Sequence, residues 1–113
     1  MTTIYHNPRC SKSRQCLAIL EEKKEDLEII KYLETPITEK KLTEIITLLE
    51  IKPIDLVRKN EAIWKQEFKN KDLTDSELIR IMCENPKLIE RPIVIKNKKG
   101  IIGRPPENVI QIL

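Results

Sequence analysis

Four short stretches of the chain have the apolar and polar pattern of β-strands. Each is rich in β-branched or aromatic residues, which favour an extended backbone, and each is bounded by a turn signal. The stretches are "TTIY" at 2–5, "LEIIKYLE" at 27–34 and the two halves of "RPIVIKNKKGIIG" at 91–103, which the polar "NKKG" divides into a hairpin. The pattern therefore predicts two strands near the N-terminus and two near the C-terminus.

Helical periodicity occupies much of the remaining chain. Apolar residues recur three and four positions apart in a helix that begins at Ser11 and in another that begins near Thr38, which is suited to be its N-cap. Shorter helices are predicted after Pro53, from Thr74 or Asp75 up to the residue before Pro86, and in the final "RPPENVIQIL". No internal repeat or linker interrupts this series, so residues 1–113 are expected to form a single domain.

The order of elements is β-α-β, then helices, then a β-hairpin and a last helix. Two parallel strands bridged by a helix, followed by a hairpin that extends the same sheet, form the α/β layout of a thioredoxin or glutaredoxin domain. The expected fold is a four-stranded mixed sheet flanked by helices. In this layout the end of the first strand and the start of the first helix form the reactive corner, and Cys10 lies there.

Composition limits the kinds of partner that the chain can bind. The 21 basic and 18 acidic residues give a net charge of +3 and are interspersed, and only four residues are aromatic. A concentrated basic patch with stacking surfaces is absent, so nucleic acid is not an expected partner. No apolar run approaches the roughly 20 residues that span a bilayer, and no signal-peptide pattern is present. We expect a cytoplasmic protein with no membrane association, and a monomer is the simplest expectation.

The chain has three cysteines and one histidine. The absence of a CxxC pair argues against a dithiol redox centre and a zinc ribbon, and a single histidine argues against a histidine-rich metal site. No metal is therefore expected. Among the cysteines, Cys10 is the candidate nucleophile because it precedes the first turn of a predicted helix, where free N–H groups favour an anion.

Positive charge around Cys10 in "YHNPRCSKSR" strengthens this prediction. An ordinary thiol has a pKa of about 8.5 and is mostly protonated at neutral pH. Arg9, Lys12 and Arg14 are cationic neighbours, and His6 adds charge if it is protonated. These groups are expected to lower the pKa of the Cys10 thiol.

Cys16 and Cys83 are predicted to be core residues, since each shares a helical face with apolar side chains. Six residues along a helix is a rise of about 9 Å, whereas the Cα atoms of a disulfide lie within about 7 Å. An intact helix therefore prevents a Cys10–Cys16 disulfide. With no internal partner, the chemistry of Cys10 requires an outside thiol, for which glutathione is the abundant cytosolic candidate.

Three arginines stand at the edges of predicted elements: Arg58, Arg91 and Arg104. A planar guanidinium binds tetrahedral oxyanions with two hydrogen bonds and stays charged. A phosphatase loop would need an arginine six positions after its cysteine, and that position here is Cys16. Phosphatase chemistry is therefore not expected.

The segments "HNPRCSKSR", "VRKNE", "RPIV" and "GRPPE", in this order, resemble the glutaredoxin-coupled arsenate reductase (ArsC) family over nearly the whole chain. The resemblance implies a thioredoxin-like βαβ–ββα sheet with a helical insertion at about 38–85. It implies that Cys10 is the nucleophile, that His6 favours its thiolate, and that Pro92 is a cis-proline beside the cysteine. It also implies that the oxyanion is bound by the three arginines Arg58, Arg91 and Arg104.

The implied reaction is reduction of arsenate to arsenite through a thiol adduct on Cys10, with glutathione as co-substrate and glutaredoxin as partner. No bound cofactor is expected. Two alternatives remain open. The related Spx regulators bind RNA polymerase without turnover, although many carry CxxC and position 13 here is serine. A scavenger whose Cys10 is merely glutathionylated would need the same lowered pKa.

Overall fold

The computed structural model describes residues 1–113, and its element order agrees with the predicted series. The strands are β1 (Thr2–Tyr5), β2 (Leu27–Ile30), β3 (Ile93–Lys96) and β4 (Lys99–Ile102). The α-helices are α1 (Ser11–Glu22), α2 (Glu39–Leu49) and α3 (Asp75–Glu84). Shorter 3-10 helices span Pro53–Leu56, Pro86–Leu88 and Pro106–Ile112, and a π-helical turn spans Trp64–Phe68.

The four strands form one mixed sheet in the order β2-β1-β3-β4. β1 is parallel to β2, with Thr2 opposite Leu27, and antiparallel to β3, with Tyr5 opposite Ile93. β3 and β4 form the predicted antiparallel hairpin. The predicted α/β fold with a four-stranded mixed sheet and flanking helices is confirmed.

Contacts divide the chain into two compact units. The first comprises Met1–Thr35 and Arg91–Leu113, and the second comprises Pro36–Glu90. All four strands and α1 lie in the first unit, whereas α2, α3 and the π-helical turn lie in the second. The helical segment predicted at 38–85 falls inside the second unit, and the single-domain organisation stays a prediction.

The first unit packs α1 and the C-terminal 3-10 helix against the sheet around a small apolar core. This core is a cluster of five buried residues: Ile4, Cys16, Leu20, Val94 and Val109. Burying an aliphatic side chain of this size contributes roughly 1.5–3 kcal/mol. On α1 the residues that face inward are Ser13, Cys16 and Leu20, which recur at helical spacing. The packing of this face fixes the position of the helix whose N-terminus carries Cys10.

The second unit has helices with well-defined N-termini. Thr38 caps α2 by accepting a hydrogen bond from the Lys41 N–H, and α2 buries Leu42, Ile45 and Ile46 as a stripe. Thr74 and Glu77 form a reciprocal capping box at the start of α3. Both predicted helix starts are confirmed.

Two predicted details are wrong, and one element was not predicted. The strand predicted at 27–34 ends at Ile30, because the chain turns back with the Glu34 and Thr35 N–H groups donating to the Lys31 carbonyl. In the hairpin the turn is only Asn97 and Lys98, both with positive φ, so half of "NKKG" belongs to β4. The π-helical turn has no prediction corresponding to it. None of the helices is long and apolar enough to cross a membrane.

Candidate active site

Cys10 is the N-cap of α1, at the end of the connection that follows β1. Its extended backbone (φ −95°, ψ 123°) places it just outside the helix, and its carbonyl accepts the Arg14 N–H at 3.0 Å. The Cys10 N–H donates to the Asn7 carbonyl at 3.0 Å. The sulfur therefore lies at the N-terminus of the helix, where unpaired N–H groups stabilise negative charge.

The pKa of the Cys10 thiol is lowered by its surroundings. Partial burial acts to raise this pKa, but it is outweighed by the Ser13 N–H, the side chain and charge of Arg91, and the Lys12 N–H. Hydrogen bonds to a thiolate favour the charged form. At neutral pH the thiolate is therefore a larger fraction of Cys10 than of an ordinary cysteine.

Arg91 and Arg104 approach the thiolate from the other end of the chain. Arg104 donates from Nη1 to the Cys10 Sγ at 3.7 Å and to the Arg91 carbonyl at 3.3 Å. The side chain of Arg91 lowers the pKa of Cys10 through a hydrogen bond and its charge. Its buried Nε has no hydrogen-bond partner. Two guanidinium groups beside one thiolate leave one formal positive charge in excess, together with a free N–H donor. This combination is suited to an incoming oxyanion.

Arg58, the third predicted anion ligand, lies in the second unit. Its Nε is 3.6 Å from Glu90 Oε1, its N–H donates to the Leu88 carbonyl at 2.7 Å, and its Nη1 is buried without a hydrogen-bond partner. A buried guanidinium N–H without a partner is a hydrogen-bond donor that is free to bind an anion. The role of Arg58 as an anion ligand stays a prediction.

His6 belongs to a buried polar cluster beneath Cys10. His6 Nδ1 and Ser13 Oγ are 2.6 Å apart, and the Asn7 N–H donates to the same hydroxyl at 3.1 Å. Burial lowers the pKa of His6, and the charges of Lys31 and Arg14 lower it further. His6 is therefore mainly neutral at pH 7 and supplies no full positive charge. It contacts Ser13, whose N–H stabilises the thiolate, so any effect on Cys10 passes through Ser13.

Arg14 contacts the loop rather than the sulfur. Its exposed side chain donates from Nη1 to the Pro8 carbonyl at 2.9 Å. The pKa of Cys10 is thus lowered chiefly by backbone N–H groups of α1 and by a distant arginine, not by the side chains of Arg9, Lys12 and Arg14 that surround it in sequence. Arg14 holds this loop through that hydrogen bond, and its thiolate-supporting role stays a prediction.

Pro92 follows Arg91 through a cis peptide bond, which is the geometry that the resemblance implies. The Gly103 N–H donates to the Pro92 carbonyl at 2.9 Å, next to a second cis bond between Arg104 and Pro105. A side chain at Gly103 would lie 2.9 Å from both Cys16 Sγ and Pro92 Cγ. The absence of a side chain there allows the segment that carries Arg104 to pack close to α1.

The other two cysteines, Cys16 and Cys83, have raised thiol pKa values. Cys16 is fully buried, and burial raises its pKa to about 11. Cys83 is half-buried, and burial together with the carboxylates of Glu39 and Glu84 raises its pKa. All three cysteines are free thiols. The prediction that Cys16 is a core residue is confirmed, whereas Cys83 is only partly enclosed.

Sequence reasoning missed part of the site. Ser13 was noted only as the residue that stands where a CxxC motif has its second cysteine, yet it links His6, Asn7 and Cys10. Its position three residues after an N-cap was the available signal, since that N–H is unpaired within the helix. No group of three or more His, Cys, Asp and Glu side chains is arranged to hold a metal ion.

These features define a thioredoxin-like protein with one activated cysteine at the start of its first helix and arginines beside it. The sequence matches the ArsC family over residues 5–112, and the chain belongs to this family. It is 44% identical over 112 residues to the "Uncharacterized protein YfgD" of Escherichia coli (strain K12), covering 97% of this chain and 94% of that protein.

Two further relatives carry a name that states an activity. An arsenate reductase of Haemophilus influenzae is 43% identical over 112 residues, with 97% of each chain covered. The solved structure of an arsenate reductase from Vibrio cholerae is 42% identical and superimposes with a TM-score of 0.94, covering 99% of this chain and 97% of that one. Both the fold and the family are thus shared over the full length of the chain.

Proposed function

We propose that this protein reduces arsenate to arsenite, with Cys10 as the nucleophile and thiols as the electron donors. The observation that carries the proposal is the pairing of a Cys10 thiol of lowered pKa with the guanidinium groups of Arg91 and Arg104. The membership of the ArsC family and the names of two full-length relatives support arsenate as the substrate.

In the first step the Cys10 thiolate attacks arsenic and forms a sulfur–arsenic bond. One arsenate oxygen leaves as water after taking up a proton, which gives a covalent thiol–arsenate adduct. An anionic nucleophile and an anionic substrate repel one another in the absence of compensating charge. Arg91 and Arg104 offset this repulsion and stabilise the charge on the arsenate oxygens as the bond forms.

Reduction of arsenic then needs two electrons, which two thiol groups supply. Overall, arsenate and two glutathione thiols give arsenite, one disulfide and one water, and Cys10 is regenerated. Glutathione adds to the Cys10 adduct, and glutaredoxin reduces the mixed species so that arsenite is released. Cys16 takes no part, because it is buried and its thiol stays protonated until about pH 11.

The other predicted residues have supporting roles in this proposal. Arg58 is a third anion ligand on the strength of the family resemblance. His6 and Arg14 hold the loop that precedes Cys10, and Pro92 is a structural residue beside the site on the strength of the family resemblance. The proposed setting is the cytoplasm, where glutathione is abundant, and the proposed active form is a monomer.

The test is arsenate-dependent NADPH oxidation in the presence of glutathione, glutaredoxin and glutathione reductase, with Cys10→Ser as the control. We expect turnover in the wild type and none in the variant. If the wild type shows no turnover while Cys10 still alkylates rapidly, the site is a reactive thiol with another function. Binding of RNA polymerase would then identify a regulator of the Spx kind, and its absence would leave a glutathionylated scavenger.

A further inference from the structure

A cavity of about 400 Å³ opens in the first unit beside the loop that leads to Cys10. One wall is formed by residues 6–9, and the other by Lys31, Leu33 and Glu34. The first wall runs directly into Cys10 along the chain, and its Asn7 carbonyl accepts the Cys10 N–H. The volume falls within the roughly 300–1,000 Å³ range of cavities that hold small molecules.

Hydrogen bonds hold both walls in place. In the first wall the Arg9 N–H donates to Asn7 Oδ1 at 3.0 Å, and the Pro8 carbonyl accepts a hydrogen bond from Arg14. In the second wall, two backbone N–H groups from residues 34 and 35 donate to the Lys31 carbonyl. The His6 N–H donates to the carbonyl of Ile30, the residue that directly precedes the second wall. The cavity is thus formed before any ligand binds, which reduces the entropic cost of binding.

The charged side chains of the cavity comprise two cations and one anion. Arg9, Lys31 and Glu34 are exposed, and none of them takes part in an ion pair within the chain. Lys31 is close enough to the base of the site to lower the pKa of His6. A ligand with two carboxylates and one ammonium would pair with all three groups.

Glutathione has this set of charges at neutral pH. Its γ-glutamyl part carries an ammonium and a carboxylate, its glycine carries a second carboxylate, and its cysteine carries the thiol. Three residues in an extended conformation span about 10 Å. The Asn7 carbonyl of the first wall accepts the Cys10 N–H, so a glutathione of this length bound along that wall lies beside the residue that carries the adduct.

We propose that the cavity between residues 6–9 and residues 31–34 is the binding site for glutathione. Arg9 and Lys31 bind its two carboxylates, and Glu34 binds its ammonium. The inference deepens the proposed function, on which it rests, because it assigns a place on this chain to the thiol that the proposed reaction requires. Glutathione is then a co-substrate that binds the chain before it reacts, not a thiol that reaches Cys10 by collision alone.

Binding is measured first, without turnover, by calorimetric titration with S-methylglutathione, which cannot form a disulfide or attack an adduct. We expect saturable binding to the wild-type chain and weakening by about tenfold in Lys31→Glu, because reversal of a charge-assisted contact replaces attraction with repulsion. Glu34→Lys should weaken binding in the same way. Lys40→Glu, which reverses an exposed charge on α2 outside the cavity, is the matched control and should bind as the wild type does.

A second ligand tests the assignment of the charges. S-methylcysteinylglycine lacks the γ-glutamyl carboxylate, so its binding should be weaker than that of S-methylglutathione in the wild type. Equal affinity of Lys31→Glu, Glu34→Lys and the wild type for S-methylglutathione would overturn the proposed site. No binding to the wild type at concentrations at which glutathione supports turnover would overturn it as well.

Steady-state kinetics separate this proposal from the proposed function. We expect Lys31→Glu to raise the KM for glutathione about tenfold while the KM for arsenate and the alkylation rate of Cys10 stay near their wild-type values. An unchanged KM for glutathione in an active enzyme would refute the glutathione site alone. Binding of S-methylglutathione that Lys31→Glu weakens, without arsenate turnover in the wild type, would uphold the site and refute arsenate reduction.

Discussion

Two cysteines six residues apart, Cys10 at the N-cap of α1 and Cys16 inside it, have opposite pKa shifts. Cys10 caps α1 and has a lowered pKa, whereas Cys16 lies in the middle of the same helix and has a pKa raised to about 11. Burial acts to raise the pKa of both thiols. The difference is that Cys10 also receives N–H groups and the charge of Arg91, while burial is the only cause acting on Cys16.

This contrast shows that position in the helix, more than the residue type, decides the chemistry of these thiols. Inside α1 the N–H groups are already paired with carbonyls, so they offer nothing to the sulfur of Cys16. At the N-terminus they are unpaired and can stabilise an anion. Cys10 is thereby suited to reaction, and Cys16 is suited to packing between Ile4, Leu20 and Val94.

The largest expected effect is the loss of activity in Cys10→Ser. A serine hydroxyl at this position stays protonated and is a far weaker nucleophile, so arsenate-dependent turnover should fall to background in the coupled assay. Cys16→Ser should retain most of the activity, because Cys16 does not reach the substrate. The stability of this variant should be lower than that of the wild type. A fully active Cys10→Ser variant would contradict the proposed mechanism.

Next in size is the effect of Arg91→Lys. A lysine keeps the charge but loses the planar pair of donors, so kcat/KM for arsenate should fall by about tenfold to a hundredfold. The pKa of Cys10 should rise, since the side chain and charge of Arg91 both lower it. Arg14→Lys serves as the control, because the Arg14 side chain donates to the Pro8 carbonyl rather than to the sulfur and its replacement should affect kcat/KM little.

Ser13→Ala tests the polar cluster that supports the thiolate. The change removes the hydroxyl that pairs with His6 and with the Asn7 N–H, which leaves two buried polar groups unpaired. We expect the free energy of unfolding to fall by about 1–3 kcal/mol, measured by urea denaturation. Ser11→Ala, an exposed change in the same helical turn, should have little effect. Equal losses in the two variants would show that the cluster contributes nothing to stability.

The smallest expected effect concerns the pH dependence of stability. The pKa of Cys16 is raised on folding, so its contribution is fully present below the unfolded pKa of about 8.5 and is lost as pH rises through about 11. The wild type should therefore lose stability relative to Cys16→Ala across this alkaline range. The free energy of unfolding can be measured for both proteins from about pH 8 to about pH 10. If it changes with pH in the same way in both, the result would argue against a buried thiol.

Most of the fold could be predicted from local sequence patterns. The apolar stripes and caps of α2 and α3, the strand "TTIY" and the hairpin at 91–103 each depend on neighbouring residues. The prediction failed after Ile30, where the strand was extended through "KYLE" although only Tyr32 there is a strong strand former. Hydrogen bonds to the Lys31 carbonyl form a turn there instead. The π-helical turn at Trp64–Phe68 has no local pattern that distinguishes it from an α-helix.

The site was predictable only in part. The position of Cys10 at a helix start follows from the sequence, but the source of its lowered pKa does not. Charges adjacent in sequence suggested Arg9, Lys12 and Arg14, whereas the structure brings in Arg91 from a distance of about eighty residues along the chain. Long-range placement of this kind depends on the sheet that joins β1 to β3. The family resemblance indicated Arg91 where residue patterns alone did not.

The most direct test of this account is the pH dependence of alkylation by iodoacetamide, followed at each cysteine peptide by mass spectrometry in the folded wild-type protein. We predict that Cys10 reacts with an apparent pKa below that of an ordinary cysteine. Cys16 should stay unreactive across the neutral range. An apparent pKa of Cys10 at or above the ordinary value, or equal reactivity of the two thiols at neutral pH, would contradict this account.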